Sequence, residues 1–354
     1  MKKRILAVIL LMALLSCTSL LSSCNKKENE KEKFSSYSFD YFDTVTVITG
    51  YEESKEEFDK VSEEILDELR VYHRLFTIYD RYEDLNNICT INTLYNGEHR
   101  VVEVDQKIVD MLLFCKEMYQ KTNGRVNVAM GSVLYIWHNY RNIGANDPSS
   151  AELPPMDKLS EAAKHTDISK LIIDDENNTV FLSDPDMRLD VGAIAKGYAV
   201  EMIAKSLVEK GISGYVLNVG GNVRTIGNRG DGSPWLAGID NPDGTADAPY
   251  YAKVGICDLS LVTSGSYQRY YIVDGKSYNH IINPDTLMSA DIYTSVSVIC
   301  ESSAVADALS TSLFTMSIDE GKKIIERFDG VEVMWVTVDG EITCTQGFSK
   351  YVSD

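Results

Sequence analysis

Apolar positions recur at three- and four-residue intervals behind Ser54, where Phe58, Val61, Ile65 and Leu69 predict one face of an amphipathic helix. Glutamates dominate its other face, the pattern of a solvated surface. A second helix is expected behind Asp105, with Ile108, Leu112, Cys115 and Tyr119 inward and Asn123-Gly124 at its end. A third begins at Ile194, carries Ala195, Ala199, Ile203 and Leu207 on one face, and stops at Gly211. Ser302 and Asp319 are the expected caps of two more, running towards Thr315 and Phe328. Extended segments are predicted over Phe42–Thr49, from Val180 towards Asp190, and over Tyr215–Val219. Asp274-Gly275 and Asp339-Gly340 read as hairpin turns, the first between Tyr270–Val273 and Lys276–Ile281, the second between Val333–Val338 and Glu341–Cys344. Residues 142–156, with Gly144, Asp147-Pro148 and Pro154-Pro155, read as a surface loop. Hairpins and helices mix without sustained βαβ alternation. That order predicts an α+β fold, one compact domain over residues 37–354 with mixed or antiparallel sheets flanked by helices.

The first residues follow a different pattern. Lys2, Lys3 and Arg4 precede an apolar run, Ile5 to Leu15, too short to span a bilayer. Leu21-Ser22-Ser23-Cys24 then resembles a lipoprotein cleavage site, and Leu14-Leu15-Ser16-Cys17 is a poorer one. The expectation is a signal peptide over 1–24, a lipidated Cys24, and a disordered charged tether over 25–36. The protein is then extracytoplasmic and held to the membrane by lipid. The net charge of −19 grows three units more negative without Lys2, Lys3 and Arg4. So acidic a chain is a poor nucleic-acid binder, and an anionic ligand would need a local lysine or metal. Cys89, Cys115, Cys257, Cys300 and Cys344 show no metal-binding spacing and are expected to be buried free thiols.

Candidate chemistry concentrates where the third helix begins. In Leu189-Asp190-Val191-Gly192-Ala193-Ile194-Ala195-Lys196-Gly197, an acid, a turn centred on Gly192 and a lysine meet a helix N-terminus. Free N–H groups, the helix dipole and Lys196 together suit a phosphate, although Lys196 at such a joint can equally be solvated. Asp307 and Thr311 lie at i and i+4 on one helix face, hard oxygen donors suited to Mg²⁺ but commonly just solvated. His280 sits in an apolar strand context, as a general base or as a structural histidine. Tyr79 offers a ring for stacking, and Trp137 follows the Asn123-Gly124-Arg125-Val126-Asn127 segment; either aromatic is by default core.

Five segments stand in one order: Leu189–Val200 (LDVGAIAKGYAV), Leu217–Gly227 (LNVGGNVRTIG), Thr263-Ser264-Gly265, Tyr278–Pro284 (YNHIINP) and Ala306–Thr311 (ADALST). Together they resemble the ApbE family of FAD:protein FMN transferases, from about Tyr41 to about Gly347. The resemblance implies a Mg²⁺-dependent enzyme that splits FAD at its pyrophosphate. FMN passes to a Thr or Ser hydroxyl of an acceptor protein and AMP leaves. It implies acceptors that are subunits of membrane redox complexes with an Asp-x-x-(Ser/Thr)-Gly-Ala-(Ser/Thr) type motif. By resemblance, Ala193 (through its carbonyl), Asp307 and Thr311 are the metal positions. Phe42, Tyr79, Arg125, Val126, Asn127, Asp190, Lys196 and Ile281 are FAD positions, and His280 assists deprotonation of the acceptor hydroxyl. Two segments depart from the family pattern: Phe42-Asp43-Thr44 stands for Met-Gly-Thr, and Arg125-Val126-Asn127 for Ala-Phe-Asp. Competing readings are an FAD pyrophosphatase that hands FMN to water, and a lipoprotein that binds flavin without chemistry.

Overall fold

The computed structural model describes residues 31–93 and 101–353; the expected signal peptide and Cys24 lie outside them. Eight strands form one sheet in which spatial order follows chain order: Glu32–Ser38, Thr46–Glu52, Tyr215–Val219, Asn222–Ile226, Ser260–Gly265, Tyr293–Cys300, Glu332–Thr337 and Ile342–Cys344. Every neighbouring pair is antiparallel. Side-chain alternation along these strands sorts the core into two faces. Val262, Val296, Val298, Val333 and Trp335 join the main core under the helices. Leu261, Ile299, Met334 and Val336 point the other way. There they meet Ile239, Val254 and Ile256 of a small sheet built from Trp235–Thr245, Ala248–Ile256 and Val352–Ser353. The architecture is α+β, as the order of elements predicts.

Three helices cover the main face: Lys55–Phe76, Ala195–Glu209 and Ser303–Leu313. Ser54 caps the first by accepting from the Glu57 N–H, and Phe58, Ile65 and Leu69 are fully buried. Asp105 caps Gln106–Lys121 in the same way. Ala199, Ile203 and Leu207 of the third predicted helix are also inaccessible to solvent. A third cluster, with Met130, Val133, Trp137, Tyr271 and Ile282, joins the helix Gly131–Asn146 to the hairpin Tyr270–Val273/Lys276–Asn279. Trp137 is core, its indole N–H donating to the Leu287 carbonyl at 2.9 Å. Among the described residues no helix is long and apolar enough to cross a membrane.

Several local expectations are corrected. The tether expected over 25–36 gives way to a strand from Glu32, because Phe34 packs on Phe58 and the backbone pairs with Thr46–Glu52. The strand expected from Phe42 begins at Thr46; Phe42 and Asp43 instead adopt positive φ values of 57° and 50°. Residues 142–146 extend a helix rather than a loop, since Gly144 is buried in the helix packed against Tyr271. The strand Thr179–Leu182 ends well short of Asp190. The late helix is capped by Ser317 rather than Asp319, through a reciprocal capping box with Glu320. Cys257 is half-buried and Cys344 exposed, unlike Cys89, Cys115 and Cys300.

Candidate active site

Helix Ala195–Glu209 has no side-chain cap of its own, because Ile194 stands at its N-cap. The cap arrives from the neighbouring helix: the Gly197 N–H donates to Asp307 Oδ2 at 2.8 Å. This needs the two helices almost in backbone contact, and Gly197 allows it. A Cβ there would lie 2.4 Å from both Asp307 Cβ and the Ser303 carbonyl oxygen. Gly192, by contrast, does not use a left-handed conformation. Its turn is made by Asp190, whose Oδ1 accepts the Gly192 N–H at 2.9 Å.

That joint forms the floor of a cavity of about 550 Å³ between the main core and the Trp137 cluster. Phe42, Tyr79, Arg125, Val126, Asn127, Asp190, Ala193, Lys196, His280, Ile281, Asp307 and Thr311 all line it. They come from segments spread over most of the chain. Asp307 is 4% exposed, and burial pushes its carboxyl up, opposed by Lys196, the Gly197 N–H and Asn222. Lys196 Nζ lies 3.9 Å from Asp307 Oδ2. Asn222 is buried beside them with its amide oxygen unpartnered. Thr311 Oγ1 lies 3.4 Å from Ser264 Oγ. The side-chain donors on this floor are thus a carboxylate, a hydroxyl and an amide oxygen, and Ala193 lines the cavity beside them. A hard set of oxygens with one orphaned buried acceptor suits Mg²⁺.

His280 follows the strand Lys276–Asn279 and is half-buried. Its Nδ1 lies 3.2 Å from the Arg269 carbonyl, which can only accept, so Nδ1 carries the proton and Nε2 keeps a lone pair. Burial lowers its pKa to about 3, helped by Arg141, Arg269 and Lys196. Burial also lowers His138, whose Nε2 is 3.7 Å from Asp190 Oδ2, and His73, which accepts the Phe42 N–H through Nδ1. Below about pH 6.5 an unfolded chain binds protons that these three imidazoles resist. Stability is therefore full above that pH and falls as pH drops towards the folded values. We expect about 2 kcal/mol of stability to be lost between pH 7 and pH 5 through His280 alone, with His73 and His138 adding to it. Urea midpoints at the two pH values check this, and His280→Asn should flatten the difference.

Two predicted positions line the cavity with their polar atoms already engaged. Asn127 donates to the Thr166 carbonyl and accepts from the Ala129 N–H, each at 2.9 Å. Arg125 pairs with Asp285 at 2.6 Å. Ile281 is 5% exposed and its N–H is bonded to Asn279, leaving its side chain to face the cavity. Tyr79 stands at the rim, 55% exposed, its ring 6.1 Å from that of His138. Sequence reasoning missed His138, Arg141, Asn222 and Arg269. Asn222 falls within a quoted segment, but the others sit in segments without a local pattern. Outside the cavity, His165 lies between Asp184 and Asp186, 3.0 Å and 4.0 Å away.

The fold thus sets a recess over a buried carboxylate–lysine floor, a place suited to an anionic ligand. The sequence profile of the ApbE family matches residues 42–335, and the chain belongs to that family. It is 31% identical over 260 residues to the FAD:protein FMN transferase of Treponema pallidum (strain Nichols), covering 70% of each chain. It is 25% identical over 336 residues to that of Haemophilus influenzae, covering 92% of this chain and 91% of the relative. The crystal structure of an ApbE protein from Thermotoga maritima superposes with a TM-score of 0.78 at 26% identity, covering 91% of this chain and all of that one. The flavin transferase ApbE from Vibrio cholerae shares the fold, with a TM-score of 0.72 at 22% identity and coverage of 91% and 99%.

Proposed function

We propose that this protein uses Mg²⁺ to transfer the FMN half of FAD to a Thr or Ser hydroxyl of an acceptor protein, with AMP as the leaving product. The observation that carries the reading is the convergence of Lys196, Asp307, Thr311 and His280 on one cavity in a member of this family. Asp307, Thr311 and the Ala193 carbonyl would hold the cation. When bound, it supplies positive charge to the diphosphate oxygens and eases departure of AMP. Lys196 and the helix N-terminus beside it add fixed positive potential at the same place. His280 Nε2 takes the proton of the acceptor hydroxyl. The hydroxyl oxygen forms a bond to the FMN phosphorus, and the bond from that phosphorus to the bridging oxygen breaks, so this oxygen leaves with AMP. Catalysis then rests on positioning and charge compensation.

In the same reading, the protein is lipid-anchored through Cys24 outside the cytoplasm, and its acceptors are subunits of membrane redox complexes with the motif given above. The deciding experiment mixes the protein with FAD, Mg²⁺ and a small acceptor domain bearing that motif. Flavin fluorescence that stays with the acceptor on a denaturing gel, and disappears with EDTA, supports transfer. AMP without a labelled acceptor would instead mean FAD hydrolysis, and unchanged FAD would mean binding alone.

The pH profile tests His280 separately. With its pKa near 3 in the free protein, kcat/KM should show no acid limb between pH 5 and pH 7. Bound diphosphate adds negative charge near the imidazole and raises its pKa. The acid limb of kcat should therefore lie at higher pH than that of kcat/KM. A limb near pH 6.5 in kcat/KM, unchanged in His280→Asn, would remove His280 from the base role.

A further inference from the structure

Arg141 lies in the last turns of the helix Gly131–Asn146 and lines the cavity wall. It is half-buried, and burial lowers its pKa, so holding its charge there is costly. Several other arginines of the fold have partners. Arg74 pairs with Asp84, Arg125 with Asp285, and Arg188 lies 4.3 Å from the centre of the Tyr135 ring. Among the described residues, no carboxylate oxygen lies within 4.0 Å of the Arg141 guanidinium. The carboxylate that acts on it from farther away, Asp190, accepts the Gly192 N–H and lies 3.7 Å from His138 Nε2. A second cation, Arg269, faces the same region. Its guanidinium donates to the carbonyls of Asp43 and Phe42, at 3.0 and 3.5 Å, which neutralises no charge.

The two ends of the cavity differ. At the floor, Lys196 already has Asp307. At the mouth, the exposed lining side chains are Tyr79, Gln268 and Arg269 together with the acids Asp43 and Asp80, while Arg141 and His280 are half-buried and Arg141 acts on the His280 imidazole. Asp43 and Asp80 line the same opening, yet among the described residues neither comes within ion-pair distance of Arg141 or Arg269. A half-buried guanidinium with no partner is a forked donor set for an oxyanion.

We propose that Arg141 is an oxyanion receptor on the wall of the cavity, a cationic group additional to the Lys196–Asp307 floor. Two oxyanions would reach it: the diphosphate of the dinucleotide, or a side-chain carboxylate of the acceptor polypeptide beside its hydroxyl. Both sources rest on the reading above that the cavity takes FAD, and the second also on transfer to a protein hydroxyl.

The test uses the full-length protein with Arg141→Gln and Arg141→Lys. The first arm measures equilibrium binding of FAD, riboflavin and inorganic pyrophosphate. The second measures binding to the FAD-saturated protein of a fluorescent threonine peptide flanked by aspartates, against its asparagine counterpart. Neither arm needs transfer to occur, so absence of transfer activity would not affect it. Arg141→Gln should cause at least a tenfold loss in one arm, partly restored by lysine. Loss for FAD and pyrophosphate with riboflavin unchanged assigns the diphosphate. Loss of the preference for the aspartate peptide, with FAD binding intact, assigns the carboxylate. Binding unchanged in both arms, or equal losses for FAD and riboflavin, overturns the proposal. If the glutamine variant does not fold, the lysine variant still reads the same arms, with a smaller loss expected.

Discussion

Asp307→Ala is expected to abolish flavin transfer and divalent-cation binding together. The carboxylate is the only charged donor among the proposed metal positions. Its loss should cost at least ~100-fold in rate, more than the removal of an outer-shell partner of a metal usually costs. The side chain has a second duty, as acceptor for the Gly197 N–H. Losing a helix cap costs about 1 kcal/mol, so the variant should melt a few degrees lower yet stay folded. That separates a chemical defect from a structural one. Mn²⁺ binding followed by electron paramagnetic resonance should disappear in the variant. Normal flavin transfer in saturating Mg²⁺ would show the metal assignment to be wrong.

Gly197→Ala should destabilise the protein, against the usual sign of such a change. Within a helix, alanine is ordinarily favoured over glycine by about 1 kcal/mol. Here the added Cβ would meet Asp307 Cβ and the Ser303 carbonyl oxygen at 2.4 Å, and neither is the far end of a flexible side chain. The helices must separate, at a cost of about 1–3 kcal/mol typical of overpacking. Separation also carries Asp307 away from Lys196 and Ala193, so activity should fall at least ~10-fold, given how steeply rate depends on positioning. A urea titration gives the first effect and the transfer assay the second. A stabilised variant would mean that the two helices do not cross as closely as described.

The parts of the fold that could be read from the sequence are those with a local physical signal. The caps Ser54, Asp105 and Ser302 each accept from a backbone N–H in the first turn that follows. The hairpin at Asp274-Gly275 follows the expected pairing, with both turn residues at positive φ. Where tertiary contacts outweighed local pattern, the reading failed. The run Phe42–Thr49 is rich in β-formers, yet its first residues turn because His73 and Arg269 hold the backbone of Phe42 and Asp43. Asp319 has the right residue type for a cap, but Ser317 completes a box with Glu320. The site divides in the same manner. Asp307 and Thr311 were visible as an i, i+4 pair and Lys196 as a charge at a helix start. His138 and Arg141 gain meaning only when their helix packs against the hairpin that leads to His280.

The first strand begins at Glu32, which has a mechanical consequence. If Cys24 is the lipidated residue, as proposed, residues 25–31 are all that separates it from that strand. At full extension so short a segment reaches roughly 25 Å. The enzyme would then patrol a thin layer above the bilayer, searching in two dimensions rather than three. Phe42, on the lip of the cavity, lies just beyond the far end of that first strand. The opening would thus be held within about one further strand length, ~23 Å, of the start of that strand. Only a hydroxyl displayed at that height would be within range, so altitude above the membrane would act as a filter on acceptors. Lengthening residues 25–31 with a flexible insert should widen the range of heights served while leaving the chemistry unchanged.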